Sequence, residues 1–367
     1  MNLSEKVIRI PATEGHRNLL AHIQNEIKLR LNEGEIPVRF VITHMDRNEY
    51  YCELATLERQ NSGGVRSIDQ IFRFVPRKVE RTGTFNTVFL VPTGIGAEIG
   101  GHAGDATPAA RAIAAVCDRL ITHPNVVNAS DLNEMPDNSL YVEGSSITRL
   151  MMGTAGLQGV RANRVLVLID AHEIEVFAND AINAVSAARS TYGLDCPKVV
   201  KLDPPLRMAS DFMASGRAAG KIEGLERVCA VIDDNLGTFD AMAIASVVDV
   251  ADAYHREYFR KGGQMINPWG GVVAMLTHAL SLFYNIPTAH SPMMESQEIL
   301  DFDLGLVEPR LAAEAVSLTF LQCTLKGLHH SPPIIPENET LRENSLLTAP
   351  DVSSLINPDT TIGLPTI

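Results

Sequence analysis

The stretch VFLVPTGIGAEIGGHAGDATP, residues 88–108, decides how the rest of the chain is interpreted. It begins with an apolar run that predicts a strand at 87–91, and Thr107 with Pro108 is typical of a helix start. Glycines between them permit positive φ and let a backbone approach a ligand closely. We therefore predict a ligand site here, formed by Thr93, Gly94, Gly96, Glu98, Gly100, Gly101, His102 and Asp105.

Downstream of this loop, short apolar runs alternate with amphipathic segments. Strands are predicted at 126–128, 139–142, 164–169, 198–202, 228–232 and 287–289. Helices are predicted at 109–120, 179–192, 209–220, 239–259, 268–284 and 309–328. Buried strands alternating with helices indicate an α/β fold, a mostly parallel, Rossmann-like sheet with helices on both faces.

Residues 1–81 predict a separate, small α+β module. Helical spacing of apolar residues covers 15–32, and two strand-like runs, 38–43 and 50–57, form a predicted hairpin. The α/β domain with the site then spans 82–328. The proline-rich, polar segment 329–367 predicts an extended tail, and its scattered apolar residues lead us to expect docking on the body or on another subunit of a homo-oligomer.

Composition narrows the classes of partner. A formal net charge of −13 and the absence of a basic stripe argue against nucleic acid. No apolar run is long enough for a membrane helix, and no secretory signal is evident. Five scattered cysteines fit a reducing compartment. We therefore expect a cytoplasmic protein with a small-molecule ligand and no membrane partner.

Polar side chains follow most of the predicted strands. In open parallel sheets, ligands bind outside the carboxyl ends of the strands, so these residues are expected to share a crevice. The substrate-binding candidates beyond the first loop are Ser145, Ser146, Arg149, Asp233, Asp234, Asn235, His290 and Ser291.

Acid–base residues are the main catalytic candidates. His102 or His172 would move a proton, with Asp105 or Glu173 orienting the imidazole or acting as a second base. The same four residues are the ligands of an alternative divalent metal site, since imidazole and carboxylate suit zinc, iron or manganese. No cofactor is required by the sequence. The helical histidines, His255 and His278, and His123 in a turn, are assigned structural roles.

An anionic substrate is indicated by the helix start at Gly144-Ser145-Ser146 with Arg149 in the following turn. We expect an enzyme, a hydrolase or lyase, acting on a small carboxylate-bearing metabolite. A non-catalytic metabolite-binding or sensor protein is the alternative. A nucleotide-cofactor enzyme is a further one, although Ile99 interrupts the G-x-G-x-x-G pattern that begins at Gly94.

Three segments together resemble a known family. They are FLVPTGIGAEIGGHAGDATP, THPNVVN and DLNEMPDNSLYVEGSSI, and they are similar to the bacterial and plastid family called domain of unknown function 3326. The resemblance covers about residues 88–330. It supports the domain boundary and the importance of the first loop, and it implies no reaction or catalytic residue.

Overall fold

A computed structural model describes residues 1–13, 19–58, 71–94, 100–129, 131–261, 264–317, 319–337 and 346–358. Within these residues the chain is a mixed α/β protein built on an antiparallel sheet and two parallel sheets. Gly96 and Glu98, two of the predicted ligand-binding residues, lie outside the described part.

Five antiparallel strands form the first sheet: β1 (Asn2–Pro11), β2 (Glu35–Met45), β3 (Glu49–Glu58), β12 (Arg207–Phe212) and β13 (Ala218–Glu223). Their spatial order is β12-β13-β1-β3-β2, so a hairpin from the middle of the chain completes the amino-terminal sheet. Helix α1 (Leu19–Lys28) packs on one face through Ile23 and Ile27. Sequence analysis predicted the β2–β3 hairpin and missed β1.

A parallel sheet contains β10 (Val165–Asp170), β11 (Lys198–Leu202), β14 (Ala241–Val247) and β15 (Thr288–Met293), in the order β11-β10-β14-β15. Alternate residues of β10 face opposite sides. Val165 and Val167 pack with α5 (Glu175–Tyr192) and α11 (Leu321–His329), whereas Leu166 and Leu168 pack with α6 (Leu225–Asn235) and α8 (Trp269–Tyr284). Helices therefore cover both faces, and β10 is a continuous apolar run for this reason.

The second parallel sheet contains β4 (Asn86–Phe89), β5 (Arg119–Thr122), β8 (Ser139–Tyr141) and β18 (Val352–Ile356), in the order β18-β4-β5-β8. The connecting elements are α2 (Thr107–Ala114), α3 (Pro124–Val127), β6 (Asn128–Ala129), β7 (Leu132–Asn133) and α4 (Gly144–Met151). Val88, Ile121 and Ile147 lie in the apolar core beneath this sheet.

The remaining described elements are short. They are β9 (Ala155–Gln158), α7 (Asp252–Arg260), α9 (Gln297–Leu300), α10 (Ala312–Ala315), β16 (Ile334–Pro336), β17 (Leu346–Leu347) and 3-10 turns at Pro309–Leu311 and Ala349–Asp351. Strands β16 and β17 both pair with β9, so the segment after residue 329 is held to the body by backbone pairing at three places, counting β18.

Four predicted elements are wrong in type. Residues 209–220 form the β12–β13 hairpin rather than a helix, with Gly216 at positive φ in the turn. Residues 228–232 lie inside α6, where Leu225, Val228 and Ile232 recur on one buried face. The alanine-rich run after Phe239 is a fully buried strand, β14, followed by α7. Residues 126–128 mostly belong to α3.

Helix α8 is central to the arrangement. It packs against β2 and β13 of the antiparallel sheet, against β15 of the first parallel sheet and against α4 beside the second. Gly271 permits this approach, because a Cβ there would stand 1.9 Å from the carbonyl oxygen of Ala218. The three sheets meet along this helix, and the site lies beside it.

Candidate functional site

A cavity of about 1230 Å³ lies along α8, and the carboxyl ends of four parallel strands open into it. Thr93 follows β4, His123 follows β5, Glu143 follows β8 and Glu295 follows β15, and all four line the cavity. The predicted convergence of strand ends thus occurs for β4, β8 and β15, whereas β5 was not predicted and the residues that follow β10 and β11 do not line the cavity. Strand β2 closes another side with Arg39, and the β12–β13 turn contributes Ser215 and Arg217.

Glu143 and His278 lie against each other in the cavity wall, and we call them the Glu143–His278 pair. Nδ1 of His278 lies 2.5 Å from Oε1 of Glu143, and the Glu143 side chain is 3% exposed. Glu143 also caps α4, accepting hydrogen bonds from the backbone N–H groups of Ser145 and Ser146 at 3.0 and 3.2 Å and from the Ser145 hydroxyl. The Ser146 hydroxyl donates at 3.4 Å as well, so the two serines supply four donors to the carboxylate.

The electrostatics keep Glu143 ionised. Burial alone would raise its pKa, but the attraction of His278 and the hydrogen bonds from His278 and Ser145 outweigh it and lower the pKa to about 2. Ser145 and Ser146 were predicted to bind substrate directly. In the structure their N–H groups and hydroxyls are directed to Glu143 instead, as in an N-cap.

His123 adds a neutral imidazole. Its Nε2 accepts a hydrogen bond from the backbone N–H of Val91 at 3.0 Å, so the ring proton lies on Nδ1. Burial lowers the pKa of His123 to about 4, with Glu143 opposing the change and His278 adding to it. His123 is therefore an uncharged donor at neutral pH.

Two arginines line the same cavity, and they differ in whether a carboxylate pairs with the guanidinium group. Arg217 is 4% exposed and is held by Glu5 and by Glu53, whose Oε2 is 2.7 Å away. Arg39 donates to the carbonyl oxygen of Gly271 at 3.4 Å and forms no ion pair with any residue that the structure describes. Burial, with repulsion from Arg217, lowers its pKa to about 10, so Arg39 is charged at neutral pH.

A second polar cluster borders the cavity. Nδ1 of His102 lies 2.7 Å from the hydroxyl of Tyr258, and that hydroxyl donates to Glu314 at 3.3 Å. Glu314 also accepts from the backbone N–H of Ala103 at 2.6 Å and from Asn267 at 3.3 Å. Burial raises the pKa of Glu314 to about 7 and that of nearby Asp105 to about 6. We call this set the Tyr258 cluster.

The other predicted catalytic residues lie elsewhere. His172 accepts from the backbone N–H of Ile174 at 2.9 Å, and its Nε2 lies 3.0 Å from the carbonyl oxygen of Met294, so both ring nitrogens have local partners. Glu173 is exposed. Across the described ranges, no group of three or more His, Cys, Asp or Glu side chains is arranged to hold a metal ion. The four-residue metal hypothesis therefore gains no support.

The predicted substrate-binding residues divide between the cavity and other places. Thr93 and His290 line the cavity, and Gly94 contacts its wall, where its carbonyl accepts from Ala218 N at 2.8 Å. Ser291 points to the opposite face of β15, as strand alternation requires. Residues placed outside the cavity lining are Gly100, Gly101, Arg149, Asp233, Asp234 and Asn235.

The placement of Asp233, Asp234 and Asn235 is a correction. They were predicted to follow a strand, but they form the end of α6, and Asp233 and Asp234 are exposed. Asn235 is buried and accepts from Lys198 Nζ at 2.6 Å. The cause is the wrong element type at 228–232, since a short apolar run fits a buried strand and a helix face equally well.

Sequence analysis missed His278, His123, Arg39 and Arg217 as members of the site. His278 had a recognisable signal: apart from Tyr284, it is the sole titratable residue of α8, a helix that is otherwise apolar on most sides. Trp269, Val273, Thr277 and His278 all line the cavity at helical spacing. Arg39 and Arg217 carried no local signal, because strands of a different sheet place them there.

Comparison with known proteins supplies a family. Residues 86–367 match the sequence profile of a family described as "Protein of unknown function (DUF3326)". A protein of Synechococcus sp. named an uncharacterized lipoprotein is 36% identical over 286 residues, which cover 77% of this chain and 78% of that protein. No solved structure matches the chain significantly. The resemblance drawn from the sequence is confirmed, and it extends through the segment after residue 330.

The predicted cytoplasmic location is contradicted. The Synechococcus relative is named a lipoprotein, which implies anchoring to a membrane through covalently attached lipid. Net charge and cysteine usage carry no information on covalently attached lipid, so composition could not decide the location. The five cysteines are free, which bears on the redox environment of the protein but does not determine its location. Within the described part of the chain, no helix combines the length and apolarity needed to span a bilayer.

Proposed function

The chain belongs to the DUF3326 family, and we propose that it is an enzyme that acts on an anionic, carboxylate-bearing substrate by acid–base chemistry, of hydrolytic or lyase type. The observation that carries the proposal is the Glu143–His278 pair standing in one cavity with Arg39. A base with an orienting carboxylate and an available cation are the parts that such a reaction needs.

His278 acts as the general base. In its neutral form the ring would keep its proton on Nδ1, beside the ionised Glu143, which leaves Nε2 as the acceptor. No described residue hydrogen-bonds to Nε2 of His278. Gly144 leaves room for the ring, because a Cβ there would stand only 3.3 Å from its Cε1. This base would take a proton from carbon or from an attacking water.

Arg39 is the anion contact and His123 the neutral donor. Arg217 already has two carboxylate partners, whereas Arg39 bonds only a carbonyl oxygen, so a substrate carboxylate gains most from Arg39. His123 would donate from Nδ1 to an oxygen that becomes negative in the transition state. A neutral imidazole can stabilise that negative charge through a hydrogen bond from its N–H group.

The fold is consistent with such a site. The order β11-β10-β14-β15 corresponds to the 2-1-3-4 order of a doubly wound sheet, and we propose a Rossmann-like relationship for this half of the protein. In that arrangement ligands bind at the carboxyl ends of the strands. His290, on β15, borders the cavity from this sheet.

The test is a comparison of variants on a mixture of carboxylates. The purified full chain and its His278→Gln, Glu143→Gln and Arg39→Gln variants are each incubated with a small-molecule extract, and depletion is followed by mass spectrometry. We expect one carboxylate to be consumed by the wild type and not by H278Q. H102Q and H172Q test the two histidines favoured by the sequence, and H44Q, at an exposed position, is the control.

Three outcomes separate the hypotheses. Consumption that survives H278Q but not H102Q or H172Q would reject the assignment of the base. A carboxylate that binds to the wild type without being consumed would favour the alternative of a metabolite-binding or sensor protein. Activity that is abolished by chelators would favour a metal-dependent enzyme.

A further inference from the structure

The cavity is larger and more apolar than a small carboxylate requires. Its volume of about 1230 Å³ exceeds the roughly 300–1,000 Å³ of pockets that hold drug-sized ligands. Apolar side chains from five separate segments line it, among them Val41, Leu90, Val273, Met293 and Phe320. A two- to four-carbon acid would leave most of this surface in contact with water, which is unfavourable.

Arg39, Arg217, His123 and the Glu143–His278 pair gather in one part of the cavity. Arg39 lies within the electrostatic influence of Arg217 and Glu143, and His123 within that of Glu143 and His278. A different apolar cluster lines another part: Phe259 and Leu304 pack there with Trp269, Val307 and Ala315. The wall therefore has a charged region and an apolar region, as an amphipathic ligand would require.

The opening of the cavity is apolar as well. Leu306 and Val316 line it, and at 105% and 84% exposure they are the two most exposed large apolar side chains of the described residues. Both lie in the segment that joins β15 to α11 and covers the apolar region. Exposed apolar side chains around a cavity mark a binding surface rather than an ordinary protein exterior.

We propose that the substrate is a long-chain amphipathic carboxylate of the fatty-acid class, with its carboxylate on Arg39 and its chain extended along Phe259 and Leu304 toward Leu306. This inference rests on the proposed function and names the substrate class of the same site. Burial of a chain of methylenes then supplies most of the affinity, and Arg39 fixes which end reaches His278.

The carboxyl groups near the apolar region do not oppose this placement. Glu314 has its donors in Ala103, Tyr258 and Asn267. Burial raises the pKa values of Glu314 and Glu295 to about 7, so each carries less than a full charge at neutral pH. Asp303 is exposed and accepts from Gly305 N at 2.9 Å within its own turn.

The single tryptophan allows a direct test. Trp269 lines the cavity, so its emission reports occupancy without a label. Saturated fatty acids of 4 to 16 carbons, below their micelle-forming concentrations, are titrated into the full chain, with n-alcohols of equal length in parallel. We expect affinity to rise roughly fourfold for each added methylene until the cavity is filled.

Two variants locate the two ends of the ligand. Arg39→Gln is expected to weaken acid binding roughly 10- to 100-fold and to leave alcohol binding unchanged, since only the acid has a charge to pair. Ala315→Phe fills part of the apolar region and is expected to move the plateau to shorter chains. Ala112→Phe, at an exposed helix position, is its control, and circular dichroism checks the fold of each.

The outcomes distinguish this inference from the function on which it rests. Affinity that does not change with chain length overturns the fatty-acid class, and the proposed function survives if H278Q still blocks consumption of another carboxylate. A rise with chain length that R39Q leaves intact for acids overturns the placement of the head group. Chain-length dependence together with consumption that does not need His278 overturns the proposed function alone.

Discussion

Glu143→Gln should cost the protein stability in a way that depends on pH. Glutamine keeps the shape and one acceptor oxygen but removes the charge that faces Nδ1 of His278 at 2.5 Å. A pKa lowered from an ordinary 4.5 to about 2 corresponds to roughly 3 kcal/mol of stabilisation at neutral pH. We expect E143Q to lower the free energy of unfolding by about that amount at pH 7.

The pH dependence has a definite sign. Because the pKa of Glu143 is lower in the folded state, its contribution is complete above about pH 5 and is lost as the pH falls toward 2. The difference between wild type and E143Q should therefore shrink to roughly 2 kcal/mol at pH 3.5 and further below it. Urea unfolding followed by circular dichroism at several pH values measures it.

A double-mutant cycle identifies the partner. If His278 supplies much of the stabilisation, E143Q should cost markedly less in the His278→Gln background, with a coupling of at least about 1 kcal/mol. A cost below about 1 kcal/mol at pH 7, or a cost that does not change with pH, would refute the reasoning. The Glu143–His278 pair could then not serve as the oriented base of the proposed reaction.

Three further changes have expected outcomes. Arg217→Met leaves Glu5 and Glu53 buried without a cation and should destabilise the fold by roughly 3–5 kcal/mol, most of it recovered when both glutamates are also changed to Gln. Glu314→Gln should gain stability relative to wild type, by roughly 1 kcal/mol at pH 5 and roughly 3 kcal/mol at pH 8, because the pKa raised from 4.5 to about 7 makes the folded wild type progressively less stable as the pH rises between those two values. Gly271→Ala places a Cβ 1.9 Å from a carbonyl oxygen of β13 and should cost about 1–3 kcal/mol through forced displacement of α8.

Matched controls are available for these variants. Gly83→Ala introduces a Cβ with no atom within 4 Å and should be nearly neutral in thermal unfolding. Arg207→Met removes an arginine whose side chain is 84% exposed, so it should cost little. Equal losses for R217M and R207M, or a flat pH profile for the difference between E314Q and wild type, would contradict the assigned burial of charge.

The sequence predicted those elements whose pattern is locally unambiguous. Strand β10 is a run of five apolar residues that ends at Asp170. Helices α5 and α8 have apolar residues at helical spacing over more than 15 residues. Strand β14 was mistaken for a helix because alanine favours helices, and burial of every residue from Ala241 to Ser246 overrides that preference. Burial by distant parts of the chain cannot be recognised from the local sequence of one segment.

The site could be predicted only where parallel strands supply its residues. Thr93 and His290 follow or occupy parallel strands, so the strand-end rule found them. Arg39 reaches the cavity because β2 packs on α8, more than 220 residues away in sequence. His278 was assigned a structural role because a lone histidine in an apolar helix usually has one; its pairing with Glu143 depends on the packing of α4 against α8.

The pairing of β18 with β4 has a consequence for how the protein is made. Ile356 lies opposite Phe89, in a parallel register that no earlier segment can supply. At translation rates of roughly 5–20 residues per second, one edge of β4 waits on the order of tens of seconds before its partner is synthesised. During that time the backbone N–H and C=O groups along this edge of β4 stay open to wrong partners. Ending the chain before residue 352 should therefore lower the soluble yield in cells by more than the few buried side chains that are removed would suggest. Co-expressed chaperones should restore part of that yield.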